Sequence, residues 1–492
     1  MELNQTSICS YDKRLAGLSV CTESADSIVP DAYPDVGRVV CAYGTASVKD
    51  RTPQSGRLLV SGSVQTTVLY QPEDADGLRR LTVPISFAHI EECEGLDSDA
   101  VCMVACRVAS VDAVPVNSRK LSVSVQLCFE TECYCRTVCE VTESIDLPQI
   151  QLLQAPRAVT LITRAQSSPI TILEDVPMPD AADLALLHTS CELKTTECRA
   201  MRGKAILKGE AALQCLAVQP DGAVRVLSNN TPFTQILEIA ELEEGEPLAV
   251  QLAAHEVDCR LAPDGLLSYT VAAEAVFTVR AAHSLQQIED LYLPGKALQV
   301  QEEKTVLRSM PPLTPFAAEA NETIPTPRHV SHVVHAEAVC CGAKRSPSDG
   351  ALQLTAAVQV LYLDDEQQLC AVQRTLPLTA SCAAAGEISR VGLSSRAAAA
   401  GETGLLVSVA ETGMAAQEER CTFRRITALE EGEAQRESSD ITLVLRYIEQ
   451  EQNLWEVAKS CGTTVDAIRR ANDLPADAVS AAQTMLLIPI QA

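Results

Sequence analysis

Apolar and polar side chains alternate through residues 56–70, GRLLVSGSVQTTVLY, and the pattern returns twice at a fixed distance. Gly203 opens GKAILKGEAALQCLA and Gly350 opens GALQLTAAVQVLY, each 147 residues after the one before. Period-two alternation sends successive residues to opposite faces of a strand, one buried and one wet. The surrounding landmarks repeat as well. Pro30, Pro177 and Pro325 precede the three openings, and Phe87-Ala-His-Ile90 is answered by Phe233-Thr-Gln-Ile236. A closing strand follows in each copy, at 121–125, 267–271 and 406–409. The third copy is the most diverged, with Ala356 in place of Gly62 and Gly209 and without the Phe. The expected fold is mostly β, with three tandem sandwich-like units.

Turn residues and proline clusters divide the chain. A lead-in and the first unit occupy 1–140, and residues 1–28 are expected to add an edge strand. A linker with an extra strand at 159–163 covers 141–174, and the second unit covers 175–285. A proline-containing linker follows at 286–323, where 311–315 (PPLTP) opposes regular helix or central strand. The diverged third unit covers 324–425; its Ala- and Ser-rich stretch 379–401 reads as helix or loose loop. An acidic linker covers 426–440. From 441 to 492 the pattern changes to a small βααβ module: a strand to Ile448, a helix from Leu454 to near Gly462, a hydroxyl cap at Thr463-Thr464, a helix over 465–472 and a closing strand over 485–489.

Composition narrows the function classes. The 492 residues suit three or four domains, and 47% hydrophobic with 21% charged residues indicates globular structure. Only 3% are aromatic, so the cores are built largely from Val, Leu, Ile and Ala. A formal charge of −26 opposes binding to nucleic acid or anionic membranes. No run is long and apolar enough to span a membrane, and residues 1–10 lack a basic start followed by an apolar core. The expectation is a chain that stays where it is made, its 20 cysteines mostly reduced.

The tail resembles the LysM module. Ile448, Leu454, Trp455, Val457, Ala458, Thr463, Thr464, Val465, Ile468, Asn472, Leu474, Gln483, Leu486, Ile488 and Pro489 fill the matching places. Two glycine-containing loops depart from the pattern: Glu451-Gln452-Asn453 stands at the Gly-Asp-Thr turn and Ala481-Ala482 at the later Pro-Gly pair. In glycan-binding LysM modules these loops form the groove for N-acetylglucosamine units, and a Cβ there removes positive-φ conformations and adds bulk. The resemblance therefore implies a retained fold, and it marks Glu451, Gln452, Asn453, Trp455, Asn472, Ala482 and Gln483 as candidates for glycan or partner binding.

The repeats carry a second resemblance. Val29-Pro-Asp-Ala-Tyr-Pro-Asp35, the 56–70 strand, Ser86-Phe-Ala-His-Ile90 and Asn117-Ser-Arg-Lys-Leu121 look like the SPOCS domain of clostridial spore proteins. SPOCS repeats followed by one LysM module resemble the SipL-like spore-coat morphogenetic family. This implies a non-enzymatic adaptor in a spore-forming Firmicute, in the mother cell at the forespore surface, connecting a basement layer built on a SpoIVA-like ATPase to other coat proteins. The alternative is a wall or cortex protein that holds peptidoglycan through the LysM module. The oligomeric state is left open.

Other chemistry is weak. His329, His332 and His335 followed by Cys340-Cys341 offer zinc-ligand types, but 329 and 332 point to opposite faces of a strand. Cys128, Cys133, Cys135 and Cys139 read as small buried residues. The acidic runs 91–92, 241–246 and 430–431 read as solvated faces. No Gly-x-Ser-x-Gly elbow, phosphate loop or His-Glu-x-x-His occurs, so neither catalytic residue, metal nor cofactor is expected.

Overall fold

The computed structural model describes residues 2–490 apart from 75–76, 220–221, 311–313, 347, 349–350, 381–385, 402, 418 and 435–441. Strands dominate, and they fall into three sets of the same topology. Unit 1 comprises β1 (Glu2–Ile28), β2 (Val36–Gln54), β3 (Arg57–Pro72), β4 (Arg79–Glu92), β5 (Val101–Asn117) and β6 (Lys120–Asp146). They form two antiparallel sheets, β2-β3-β4 and β1-β6-β5, so the lead-in is an edge strand. Unit 2 repeats this with β7 (Gln151–Pro177), β8 (Ala185–Met201), β9 (Lys204–Val218), β10 (Val224–Glu238), β11 (Leu248–Leu261) and β12 (Leu266–Tyr292), in the orders β8-β9-β10 and β7-β12-β11.

Unit 3 contains β13 (Lys296–Ser309), β14 (Thr314–Pro325), β15 (His332–Arg345), β16 (Leu352–Leu363), β17 (Leu369–Ala380), β18 (Gly386–Ala399), β19 (Gly404–Gln417) and β20 (Glu419–Ala434). Its two sheets join where Glu319 of β14 pairs with Thr379 of β17, giving one six-stranded sheet in the order β15-β16-β17-β14-β19-β18.

The repeated glycines have separate tasks. Gly56 and Gly203 turn the β2–β3 and β8–β9 hairpins at φ of 79° and 74°. Gly62 and Gly209 instead lie opposite Phe87 and Phe233 on the neighbouring strand, whose rings lie over them. A Cβ on Gly209 would collide with the Phe233 ring and sit 2.5 Å from the Lys194 carbonyl oxygen. The third unit pairs Ala356 with Leu376, so the glycine and the ring are lost together.

The segments expected as linkers are largely strand. β6 continues to Asp146 and β7 begins at Gln151, β13 and β14 fill most of 286–323, and β20 runs through 426–434. Pro315 pairs with Met414 at the start of β14, where a proline is tolerated, while 311–313 and 435–440 lie outside the described residues. The described part of the 379–401 stretch is mostly strand, with 379–380 ending β17 and Gly386–Ala399 forming β18. The physical reason is one of partner. A strand buried against another unit alternates just as one buried in its own core does.

That second burial forms a hub. The outer halves of the pairs β1–β6 and β7–β12, together with β13–β20, leave their own units and pack against one another. Ile8 and Val141 meet Val159, Leu161 and Leu285, and both sets meet Leu307, Cys421 and Phe423. Ile145, Ile288, Leu291, Ile426 and Leu429 continue the contact. A second junction joins the equivalent leucines Leu69, Leu216 and Leu361.

Gly209→Ala is expected to lower stability by about 1–3 kcal/mol through overpacking, and Ala356→Gly by only about 0.5–1 kcal/mol through backbone entropy. Thermal unfolding of the two variants compares them. An unchanged midpoint for Gly209→Ala contradicts the ring-over-glycine packing.

Candidate functional site

The C-terminal module consists of β21 (Leu443–Ile448), β22 (Gln452–Asn453), α1 (Leu454–Cys461), α2 (Val465–Ala471), β23 (Ser480–Ala481) and β24 (Thr484–Pro489). Asn453 caps α1 by accepting from the Trp455 backbone N–H at 2.9 Å, and Gly462 ends it at φ 68°. Thr464 caps α2 by accepting from the Ala467 N–H at 3.1 Å. Leu454, Val457, Ala458 and Ile468 cover the inner face of the β21–β24 pair, on Ile448, Leu486 and Ile488.

The candidate loop residues do different things. Gln452 and Asn453 pair with Ala481 and Ser480, and the Ser480 hydroxyl donates to Glu451 at 2.6 Å. The two loops that would flank a glycan are thus hydrogen-bonded to each other. The positive φ near them falls at Gln483, 48°, and not at Glu451 or Ala482. Asn472 ties α2 to β24, donating to Leu487 O and accepting from Leu487 N, both at 2.7 Å. Ala482 and Gln483 are exposed.

Trp455 faces the rest of the chain. Its indole Nε1–H donates to Asp290 of β12 at 2.8 Å, and its ring meets Tyr292 edge-on at 4.9 Å. Lys459 reaches the same carboxylate at 2.7 Å, and the Tyr292 hydroxyl donates to Thr463 O at 2.8 Å. Burial raises the Asp290 carboxyl, but the bonds from Lys459 and Trp455 outweigh it and hold the group below the usual carboxylate value. The module is therefore docked on the hub end of unit 2.

Docking leaves the outer face of the β21–β24 pair bare. Leu443, Leu445 and Tyr447 stand opposite Pro489, Leu487 and Met485, so these six apolar residues share one side. Leu445 is 63% exposed, Tyr447 56% and Met485 55%. Monomeric proteins seldom leave such continuous apolar surface without a use. The sequence carries a partial signal, since LVLRYI and TMLLIP place apolar residues at both strand phases, interrupted by Arg446 and Thr484, but which face the helices leave bare is decided by the fold.

The histidine and cysteine candidates are dispersed. His329 pairs with Asp365 at 2.7 Å on the surface, while His335 points to the junction of the three units. Cys133 and Cys135 share the core of unit 1, and Cys128 donates to Cys340 O at 3.3 Å between units 1 and 3. Among the described residues no group of three or more His, Cys, Asp or Glu is arranged to hold a metal ion.

At the junction, a bulge precedes each of the equivalent residues Cys41, His188 and His335. Tyr43 stacks on His188 at 4.8 Å, and His188 and His335 approach Glu337 at 3.4 and 3.8 Å. Burial raises the Glu337 carboxyl, and the two imidazoles more than reverse this, leaving it well below the usual range. Sequence reasoning missed this cluster. The available signal was that Cys41, His188 and His335 fall at intervals of one repeat.

Residues 35–116 match the family model described as SipL, SPOCS domain. The match spans β2 to β5 and leaves out β1 and β6, which complete the unit. Neither the curated proteins nor the solved structures compared with the chain include a match. The matched stretch supports a relationship to the SipL-like family and points to a sporulation-related protein.

Trp455 is the sole tryptophan, so its emission reports docking. Asp290→Ala is expected to weaken docking by about 1–2 kcal/mol and shift the emission to the red. Because the folded carboxyl lies below its ordinary 3.8, its contribution is complete above that value and is lost as pH falls through the folded pKa. The wild-type emission should hold steady down to about pH 4 and converge on that of the variant below it. An unshifted variant spectrum at neutral pH refutes the docking contact.

Proposed function

We propose that the chain is a non-enzymatic adaptor of the spore coat, connecting coat components at the forespore surface in the mother cell through protein contacts. The observation that carries this reading is the bare apolar face of β21 and β24, on a module whose glycan-flanking loops are bonded to each other. The match at 35–116 supplies the sporulation context. A SpoIVA-like basement-layer protein is the proposed partner, with Leu445 and Tyr447 at the centre of the contact. The exposed loop residues Glu451, Ala482 and Gln483 form its rim. The three units act as the rigid body that holds the module and offer further surfaces to other coat proteins, and such added contacts multiply binding strength.

The test uses the full chain, offered in parallel to a purified SpoIVA-like protein and to insoluble peptidoglycan. Capture by the protein is expected, with Leu445→Asp and Tyr447→Asp each weakening it at least tenfold, about 1.4 kcal/mol or more, while the Trp455 emission stays unchanged. Retention on peptidoglycan that N-acetylglucosamine oligomers compete away overturns the adaptor reading in favour of a wall-binding one.

A further inference from the structure

Unit 2 differs from its neighbours at one pair of core positions. Opposite Ala42, Thr189 and Ala336, which fall one repeat apart, the middle strands carry Val68, Cys215 and Val360, so Cys215 stands where the other units have valine. On β5, β11 and β18 the residues facing Val123, Tyr269 and Val407 are Ala113, Cys259 and Ala397, so Cys259 stands where the others have alanine. All six belong to the cores of their units. In unit 2 alone the two positions carry thiols, with Sγ atoms 3.8 Å apart. β9 and β11 lie in different sheets, so no backbone hydrogen bond joins them.

We propose that Cys215 and Cys259 form an oxidation site at which a hydroperoxide generates a disulfide that ties the two sheets of unit 2 together. A disulfide requires the sulfurs to close by about 2 Å, within reach of side-chain rotation and small sheet movement. The Thr189 hydroxyl donates to Cys215 Sγ at 3.7 Å, and the contact with Cys259 together with this bond holds the Cys215 thiol below the ordinary value despite burial. The same contact, with burial, pushes Cys259 up. With the Thr189 hydroxyl on it, Cys215 is the sulfur of the pair better placed to attack once deprotonated, and the partly exposed Cys259 marks the side from which a small oxidant arrives.

The Cys215 thiolate attacks the peroxide. An S–O bond forms, the O–O bond breaks, and hydroxide leaves. Cys259 sulfur then attacks the sulfenic sulfur. The S–S bond forms, the S–O bond breaks, and the second hydroxide departs with the Cys259 proton as water. Two thiols are oxidised by two electrons and one hydroperoxide is reduced. Cys191, also in this core, is the competing third thiol.

The reduced full chain, treated with hydrogen peroxide, alkylated and digested without reductant, should yield a Cys215–Cys259 linked peptide lighter by two hydrogens and reversed by dithiothreitol. The melting midpoint should rise by roughly 5–15 °C. Cys259→Ser and Cys215→Val should abolish both effects, the latter installing the residue that unit 1 carries. The linked peptide is read in the wild-type chain and depends on no variant folding. Full alkylation of both thiols after peroxide, or linkage of Cys215 to Cys191, overturns the proposal.

Discussion

The structure depends on one burial problem. β6 and β12 are each 27 residues long, or roughly 90 Å of extended chain, far more than a small sandwich can cover. One half of each pairs within its unit. The other half would expose alternating Val, Ile and Leu to water unless something else covered it. Three such ribbons cover one another, and each Å² of apolar surface so removed from water contributes about 25 cal/mol against the entropy of fixing the units relative to one another. A unit cut from the chain would keep its core and expose the hub half of its ribbon.

The second junction adds selectivity to that adhesion. Apolar contacts among Leu69, Leu216 and Leu361 tolerate small rotations of the units, whereas the approach of His188 and His335 to Glu337 and the stacking of Tyr43 on His188 depend on direction as well as distance. Glu337 is partly withdrawn from water, and the imidazoles beside it offset that cost. The bulges before Cys41, His188 and His335 are what turn these side chains toward the junction.

Local chemistry was readable from the sequence, and long-range coverage was not. The repeat period, the hairpin glycines and both helices of the module follow from alternation, turn residues and caps, which act within a few positions. The linked loss of glycine and Phe in the third unit was visible as a pattern, and the overlap at Gly209 supplies its cause. The hub was hidden because Val159 and Leu161 alternate identically whether they face their own core or another unit. The Asp290–Trp455 contact joins residues 165 positions apart, and nothing local announces it. For the candidate site, the loop residues were legible only as departures from a pattern. Their pairing with each other and the bare sheet face depended on three dimensions.

Docking and the bare face bear on each other. A module on a free tether would lose orientational freedom when it met a partner, and that loss subtracts from affinity. Here Asp290 and Tyr292 hold α1 from one side, while β21 and β24 lie on the far side of the module's core with their apolar face outward. The hub holds the end of β12 through Ile288 and Leu291, and Asp290 between them fixes the orientation of the module. On the proposed adaptor reading, contacts made by Trp455 inside the chain serve recognition at Leu445 and Tyr447 without touching the partner, and loosening Asp290 weakens capture while leaving the contact surface chemically intact.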